Sequence, residues 1–330
     1  MKQRILPGFC LMLVLITTGC STGENAEEAQ TSGENEQTEK EDSGSENDAF
    51  PVEITDAADE TVTLEKEPER IVSMIPSNTE IAYKLGLGEE IVGVSDHADY
   101  PEEAVGKEKI GGLQFNVEKI ISLEPDLVLA HASSLQQSEQ GLEQIEEAGI
   151  NVLVVNEAAS FQETYDSINM IAKAAGAQQE AQNIISSMKT DVENLREQAS
   201  SISEEEKKTV WMEIQPPPDI YTTGSGTFQH KMLQLIHAKN AAASEEGWLP
   251  YTTEDAVKQS PEVIITTYGQ SVEGNPAAQI KNRKGWSSVP AVENGDIYNV
   301  NSNLVSRPGP RLVEGAEKLA ELIYPDVFNE

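Results

Sequence analysis

Cysteine is nearly absent from this chain of 330 residues. The two that occur, Cys10 and Cys20, both lie within the first 20 residues. The rest of the chain therefore cannot form a disulfide, a thiolate metal site or a cysteine nucleophile. A domain of this size buries enough apolar surface to fold without disulfides, so their absence does not argue against export.

Basic residues are also scarce. The chain has 23 Lys and Arg against 57 Asp and Glu, which gives a formal net charge of −34. Because phosphate backbones and anionic lipid surfaces repel such a charge, we expect no nucleic acid partner and no electrostatic membrane docking. A cationic partner surface is compatible with it. The acidic excess also keeps an exported protein soluble, an interpretation that requires no partner.

The sequence motifs of common enzymes are missing. It contains neither G-x-S-x-G nor H-E-x-x-H, and the glycine-rich turn at residues 224–226 lacks the Lys and the spacing of a P-loop. We therefore expect a binding protein with no catalytic residue and no cofactor of its own. A surface protein that serves only in adhesion is the competing class.

The longest apolar run near the N-terminus, residues 5–16, is shorter than the ~20 residues that span a bilayer. It follows Lys2 and Arg4 and precedes small residues, which is the layout of an export signal. The ending Gly19-Cys20 resembles a bacterial lipobox. This resemblance implies that residues 1–19 are a signal peptide and that Cys20 is lipidated, which anchors the chain at the outer face of the cell membrane. The alternative is a short anchor that is never cleaved.

A polar segment follows the signal. Residues 21–49 contain ten acidic residues, one Lys and no aromatic residue. Such a segment cannot bury enough apolar surface to offset its ordering entropy. We expect residues 20–49 to be a disordered, solvated tether between the membrane and a folded body.

The body contains an internal repeat. Residues 118–129 and 254–265 follow one pattern at a constant offset of 136, in which a short helix ends at a proline and a buried apolar strand follows. Residues 148–156 and 293–301 match again with an offset of 145. A chain that repeats an α/β unit in this way predicts two similar lobes with a cleft between them.

The pattern of the body predicts an α/β fold with an N-terminal lobe at residues 50–160 and a C-terminal lobe at 201–330. Short apolar strands alternate with helices, which favours mostly parallel sheets with both faces covered. Ser77 and Glu80 have the spacing of a capping box at a helix start. Helical periodicity runs through residues 161–200 with Gly176 as the only irregularity, which predicts one long, rigid helix joining the lobes.

Four segments together resemble the cobalamin- and siderophore-binding proteins of ABC importers. They are residues 70–80, 94–101, 124–128 and 307–311. The resemblance covers residue 69 to the C-terminus. It implies the class III periplasmic-binding-protein fold of two lobes and a long helix, a monomer, and a permease dimer with its ATPase as partners. It also implies that Glu118 and Glu254, one in each lobe, pair with permease arginines.

Ligands of α/β lobes bind beyond the carboxyl ends of the strands. The predicted ligand-binding residues are those that follow strands or lie just before the two docking helices: His97, Gln114, Phe115, His131, Trp248, Tyr268 and Arg307. One Arg and no Lys in this set favours cobalamin, a large neutral corrinoid, over an anionic siderophore. A ferric siderophore or haem is the alternative, with His97 and His131 as candidate axial ligands of haem iron. We expect no separate site for a free metal ion.

Overall fold

A computed structural model describes residues 50–329. The strands are β1 Val52–Thr55, β2 Thr61–Leu64, β3 Ile71–Ser73, β4 Ile91–Val94, β5 Glu108–Lys109, β6 Leu127–His131, β7 Asn151–Val155, β8 Thr209–Gln215, β9 Ile220–Thr223, β10 Lys239–Asn240, β11 Trp248–Tyr251, β12 Val263–Thr266 and β13 Ile297–Asn299. The helices are α1 Pro76–Lys84, α2 Glu102–Val105, α3 Val117–Ser122, α4 Leu135–Glu147, α5 Phe161–Ala174, α6 Gln178–Ala199, α7 Phe228–Leu235, α8 Thr253–Lys258, α9 Pro276–Lys281, α10 Pro290–Asn294, α11 Ser302–Ser306, α12 Leu312–Ile323 and α13 Pro325–Phe328. The predicted signal peptide, lipidation site and tether lie outside the described residues.

The N-terminal lobe is built on a five-stranded parallel sheet with the order β5-β4-β3-β6-β7. Every residue of β6 is buried, as expected for a central strand whose two faces are both covered by helices. The hairpin of β1 and β2 lies beside this sheet, and Asp56 after β1 accepts a hydrogen bond from the backbone N–H of Val154 in β7.

The C-terminal lobe has a six-stranded sheet. Its main order is β11-β9-β8-β12-β13, and β10 pairs with the start of β8. The strands β8, β12 and β13 are parallel, whereas β9 and β11 form an antiparallel edge. The two lobes therefore share a parallel β-α-β-α-β unit and differ at one edge.

The internal repeat is confirmed in backbone detail. Helices α3 and α8 have six residues each and begin 136 positions apart, and strands β6 and β12 also begin 136 positions apart. Glu124 and Ser260, 136 positions apart, both adopt a left-handed conformation, with φ of 47° and 48°, just before a proline. The pairing registers put Val152 opposite Val128 and Ile297 opposite Ile264, which corresponds to the second offset of 145.

The predicted single helix over residues 161–200 is wrong. The chain forms two helices, α5 and α6, with Gly176 between them at φ +70°. A glycine in this conformation ends a helix without the steric cost that other residues meet. The chain then reverses, and the Lys189 ammonium of α6 lies 5.2 Å from the centre of the Tyr165 ring of α5. Lys173 of α5 donates a 2.7 Å hydrogen bond to the backbone oxygen of Glu53 in β1, so α5 belongs to the N-terminal lobe.

One helix does join the lobes, but it is α6 alone. Its 22 residues correspond to about 33 Å at 1.5 Å per residue. Its apolar side, which includes Ile185, Met188 and Val192, lies in a hydrophobic core that continues from Ile81 in the first lobe to Leu233 in the second. Two further cores fill the outer faces of the two sheets. The body forms one compact unit that contains all three of these cores, as expected of a domain that folds on its own.

The predicted capping box at Ser77 and Glu80 is also wrong. Helix α1 begins two residues earlier, with Pro76 as its first residue, Ile75 in place of Ser77 at the N-cap and no side-chain cap. The hydroxyl of Ser77 is buried without a hydrogen-bond partner. The Glu80 carboxylate accepts hydrogen bonds from two arginines of the other lobe instead of from the helix start.

Within the described residues, no helix combines the length and the apolar character needed to cross a membrane.

Candidate functional site

Several predicted ligand residues follow the carboxyl ends of parallel strands, and two of them meet at the boundary between the lobes. His97 comes after β4 and is exposed. Arg307 follows α11, which comes after β13, and its guanidinium donates to the backbone oxygen of His97 at 3.3 Å. The structure thus brings together His97 and Arg307, which are 210 positions apart in the sequence.

Arg307 belongs to an ion-pair network between the lobes. Its Nη1 lies 3.1 Å from Oε1 of Glu80 and 2.5 Å from Oδ1 of Asp99. Arg311 holds both oxygens of Glu80, at 2.9 Å through Nε and 2.7 Å through Nη2. The Glu80 side chain is only 2% exposed. Sequence reasoning predicted a ligand-binding role for Arg307 and missed that its charge is balanced by carboxylates.

The outer part of this network is more open to solvent. Asn303 donates a hydrogen bond of 2.9 Å to Oδ2 of Asp99, and the Asp99 side chain is 56% exposed. Burial alone would raise the pKa of Asp99, but hydrogen bonds and charge from Arg307, helped by Asn303, outweigh it and lower that pKa. Tyr100 lies under the Arg311 guanidinium, with 3.7 Å between its ring centre and the guanidinium carbon.

Lys109 is a further cation near the carboxyl edge of the first sheet. Its ammonium donates to the backbone oxygens of Ser95 and Ala98, at 3.5 and 3.1 Å. The three cations that the structure places here, Lys109, Arg307 and Arg311, are therefore all engaged by oxygens of the protein.

His131 ends β6 and is buried. Its Nδ1 accepts from the backbone N–H of Ser133 at 3.2 Å and lies 2.8 Å from the Ser133 hydroxyl oxygen. Burial lowers the pKa of His131, and the charge of Glu157 opposes this shift only in part. The imidazole is therefore neutral at pH 7, with Nε2 as the nitrogen left for other contacts.

The loop between β5 and α3 carries two predicted ligand residues. Gly111 pairs with Phe115 across the loop, and a side chain at Gly111 would come within 2.5 Å of the Gln114 backbone oxygen. Gln114 is exposed beside Leu113, which is 82% exposed. Phe115 is half-buried, and its ring covers Gly141 of α4. Phe115 therefore anchors the loop, while Leu113 and Gln114 form its tip.

Tyr268 follows β12 as predicted, but its hydroxyl is turned into the second lobe. It donates a 2.6 Å hydrogen bond to Glu213, a fully buried carboxylate that also accepts from Arg283 and Trp211. Burial, followed by the charge and hydrogen bond of Glu213, raises the pKa of Tyr268 well above its usual value. Sequence reasoning missed this cluster because Glu213 sits inside an otherwise apolar strand.

Trp248 and the two predicted docking residues are exposed. Trp248 starts the edge strand β11 and is 51% exposed. Glu118 and Glu254 each occupy the second position of a short helix whose first turn is capped, by Asn116 at 2.9 Å and by Thr252 at 3.1 Å. Within the described residues, neither glutamate has an ion-pair partner. Both carboxylates are therefore available to a cationic partner.

In the part of the chain that the structure describes, no group of three or more His, Cys, Asp and Glu side chains could hold a metal ion. The ligand-binding and docking roles of the predicted residues stay predictions, because geometry alone does not identify what they bind.

Comparison with known proteins identifies the family. The family model for periplasmic binding proteins matches residues 71–304, which covers most of both lobes. The chain is a periplasmic binding protein. Among curated relatives, the uncharacterized ABC transporter substrate-binding lipoprotein YvrC of Bacillus subtilis is 50% identical over 283 residues, covering 86% of this chain and 88% of YvrC.

More distant members of the family have different ligands in their names. A vitamin B12-binding protein of Vibrio parahaemolyticus is 26% identical over 264 residues, covering 79% of this chain and 92% of that protein. The crystal structure of a possible iron-binding (periplasmic solute-binding) protein from Staphylococcus epidermidis has a TM-score of 0.70 and 38% identity, and covers 78% of this chain and all of that chain.

These relatives confirm the resemblance and the two-lobed class III fold. This periplasmic binding protein is the substrate-binding component of an ABC transporter, and its partners are a permease and an ATPase. Such proteins carry substrates without converting them, so the chain is not an enzyme, as the missing motifs indicated.

Proposed function

We propose that this protein captures a corrinoid such as cobalamin outside the cell membrane and delivers it to the permease of an ABC importer. The observation that carries the proposal is the charge balance of the cleft. Arg307 and Arg311 face Glu80 and Asp99, so these two cations and two anions balance, and neither guanidinium offers an uncompensated charge to a ligand. A corrinoid is neutral overall and requires apolar surface with a few hydrogen bonds.

Exposed side chains on both lobes fit such a ligand. Trp248 and Leu113 offer apolar surface, one from each lobe, and Gln114 offers an amide beside Leu113. A corrinoid carries amide groups around an apolar ring system, and amides pair well with a Gln side chain. Neutral His131 adds an Nε2–H donor, because its Nδ1 accepts from the Ser133 backbone N–H.

The second candidate is a ferric complex, either a neutral or cationic siderophore complex or haem. Two observations favour it. His97 is exposed after β4, where an imidazole can reach a metal complex, and the Staphylococcus epidermidis relative with 38% identity is described as possibly iron-binding. An anionic siderophore fits less well because Lys109, Arg307 and Arg311 are already engaged.

Delivery requires the protein to stay at the membrane. We propose that Cys20 carries the lipid, that residues 20–49 tether a monomeric body at the outer face, and that Glu118 and Glu254 dock on permease arginines. The similarity to a lipoprotein supports the anchor.

Metabolic labelling with a palmitate analogue tests whether Cys20 carries the lipid, by comparing the parent chain with Cys20→Ala. Labelling that survives the substitution contradicts the anchor at Cys20.

Isothermal titration of residues 50–330 with cyanocobalamin tests the ligand. We expect saturable binding of one molecule, weakened at least tenfold by Trp248→Ala. Val105→Ala is the control, because Val105 is an equally exposed apolar residue, 52% exposed, in α2. Haem and a hydroxamate ferric complex are titrated next. Failure to bind cyanocobalamin, with an iron-complex signal that His97→Ala abolishes, would move the ligand to iron.

A further inference from the structure

The carboxylate of Glu80 lies at the boundary between the lobes and is held from the opposite side. Helix α1 of the N-terminal lobe supplies Glu80, while Arg307 and Arg311 come from the segment before α12 in the C-terminal lobe. We propose that Glu80 is the positioning residue that sets the angle between the lobes, and with it the separation of Glu118 and Glu254. This role deepens the proposed docking function and rests on it.

The arrangement of charges makes this contact depend on the relative orientation of the two lobes. Both carboxylates, Glu80 and Asp99, belong to one lobe, and both guanidinium groups belong to the other. Arg311 binds Glu80 through two nitrogens, a bidentate geometry that is satisfied at one relative orientation. Rotation of a lobe would break these bonds and leave Glu80, 2% exposed, as a buried unpaired charge.

The apolar contacts between the lobes do not fix the angle between them in the same way. The shared core runs through α6 and joins both lobes, but burial of apolar surface is not directional. A crevice of about 490 Å³ also lies between the lobes beside Arg311, lined by α1, α6 and α12. The lobes are therefore not packed tightly on this side, and the ion pairs bridge a partly open boundary.

The network has an inner and an outer part. Glu80 and Arg311 form the inner part, with side chains 2% and 18% exposed. Asp99 forms the outer part with Arg307 and Asn303, and its side chain is 56% exposed. Exposed ion pairs cost less free energy to break than buried ones. When the permease draws the lobes apart, Asp99 therefore separates from Arg307 first, while Glu80 stays bound to Arg311.

The body has no cysteine, so distance labels can be attached at chosen sites. Val105→Cys in α2 and Lys281→Cys in α9 place one spin label on an exposed position of each lobe. Double electron–electron resonance spectroscopy on residues 50–330, without any ligand, then measures the distance between the two spin labels and so between the lobes. We expect Glu80→Gln to shift or broaden the distance distribution and Asp99→Asn to broaden it less.

A matched control separates positioning from stability. Glu213 is also a buried carboxylate held by two hydrogen bonds from one arginine, but its partner Arg283 lies in the same lobe. We expect Glu213→Gln to lower the melting temperature and leave the distance distribution unchanged. Should Glu80→Gln lower the melting temperature and also leave the distances unchanged, Glu80 is only structural and the proposal fails.

A second measurement connects the angle to delivery. If Glu80→Gln does not fold, Arg311→Lys, which keeps the charge but removes the bidentate contact with Glu80, provides the distance test, and an unaltered distribution then contradicts the proposal. Where both fold, cells carrying each variant in place of their own copy are assayed for cyanocobalamin uptake. We expect uptake to fall several-fold more than the affinity that titration measures for the same variant. A parent protein that binds no cyanocobalamin rejects the ligand assignment but leaves the distance result intact.

Discussion

The Arg283 guanidinium donates two hydrogen bonds to the Glu213 carboxylate, at 2.9 and 2.7 Å, in the interior of the second lobe. The Glu213 side chain is fully buried and the Arg283 side chain is 10% exposed. Trp211 and Tyr268 complete the set of donors to the carboxylate. A largely apolar strand thus carries a negative charge, and the arginine that balances it is 70 positions away in the sequence.

Replacement of Arg283 by Met should therefore destabilise the protein strongly. The substitution leaves a buried carboxylate without its counter-charge, which costs about 3–5 kcal/mol. Urea unfolding of residues 50–330, followed by circular dichroism, measures this loss. The control is Lys258→Met, which removes an exposed pair with Asp255 and should have no measurable effect. Equal stability of the Arg283→Met variant and the parent would contradict the role of the pair.

The repeated unit was predictable from sequence, because it depends on local patterns. Proline after a short helix and an unbroken apolar strand recur at a fixed offset, and each is specified by a few neighbouring residues. The exposed positions of Glu118 and Glu254 in equivalent helices follow from the same repeat. The sequence indicated Gly176 only as an irregularity. A single glycine within a helical pattern is compatible with a continuous helix and also with a helix end, so the pattern alone did not predict the break.

The charged networks were not predictable. Glu80 and Arg311 are 231 positions apart, and Glu213 and Arg283 are 70 apart. No local pattern connects such partners, so Arg307 was interpreted as a ligand donor and Glu80 as part of a capping box. Likewise, Tyr268 was expected to face the cleft because it follows a strand, but the buried carboxylate determines where its hydroxyl points.

Gly176→Ala should destabilise the turn between α5 and α6. Gly176 has φ +70°, a conformation that costs other residues about 1–2 kcal/mol. An added Cβ would also lie 3.2 Å from the Phe50 ring. The free energy of unfolding in urea should fall by about 1–2 kcal/mol on this basis.

Gly106→Ala is the matched control for that change. Gly106 ends α2 with φ −80°, and the nearest atom to an added Cβ is 3.9 Å away. Alanine fits there without strain and restricts the unfolded chain, so stability should stay the same or rise slightly. A loss of stability at Gly106 equal to that at Gly176 would remove the conformational explanation.

Charge reversal at both predicted docking residues should stop delivery without affecting capture. Glu118→Arg combined with Glu254→Arg places two cations where the permease is expected to present arginines, and like charges in an interface cost several kcal/mol. Uptake of labelled cyanocobalamin by cells should be abolished, while titration of the purified body gives an unchanged affinity. Glu180→Arg is the control, since Glu180 is also an exposed acidic residue in a first helical turn, but that of α6. Lost affinity with normal uptake by the double variant would overturn the docking role.

His131 should make stability depend on pH near neutrality. Burial lowers its pKa below the ordinary value of 6.5, so the folded protein takes up the proton at a lower pH than the unfolded chain does. Stability from neutral His131 is therefore fully present above about pH 6.5 and is lost as the pH falls toward the folded-state pKa. In His131→Gln this contribution is absent, because the amide does not titrate. Urea unfolding of both proteins between pH 7.5 and 5 should show a larger loss for the parent chain than for the variant. Parallel profiles would mean that His131 is not held in its neutral form, and the Nδ1 contact with Ser133 would then need another explanation.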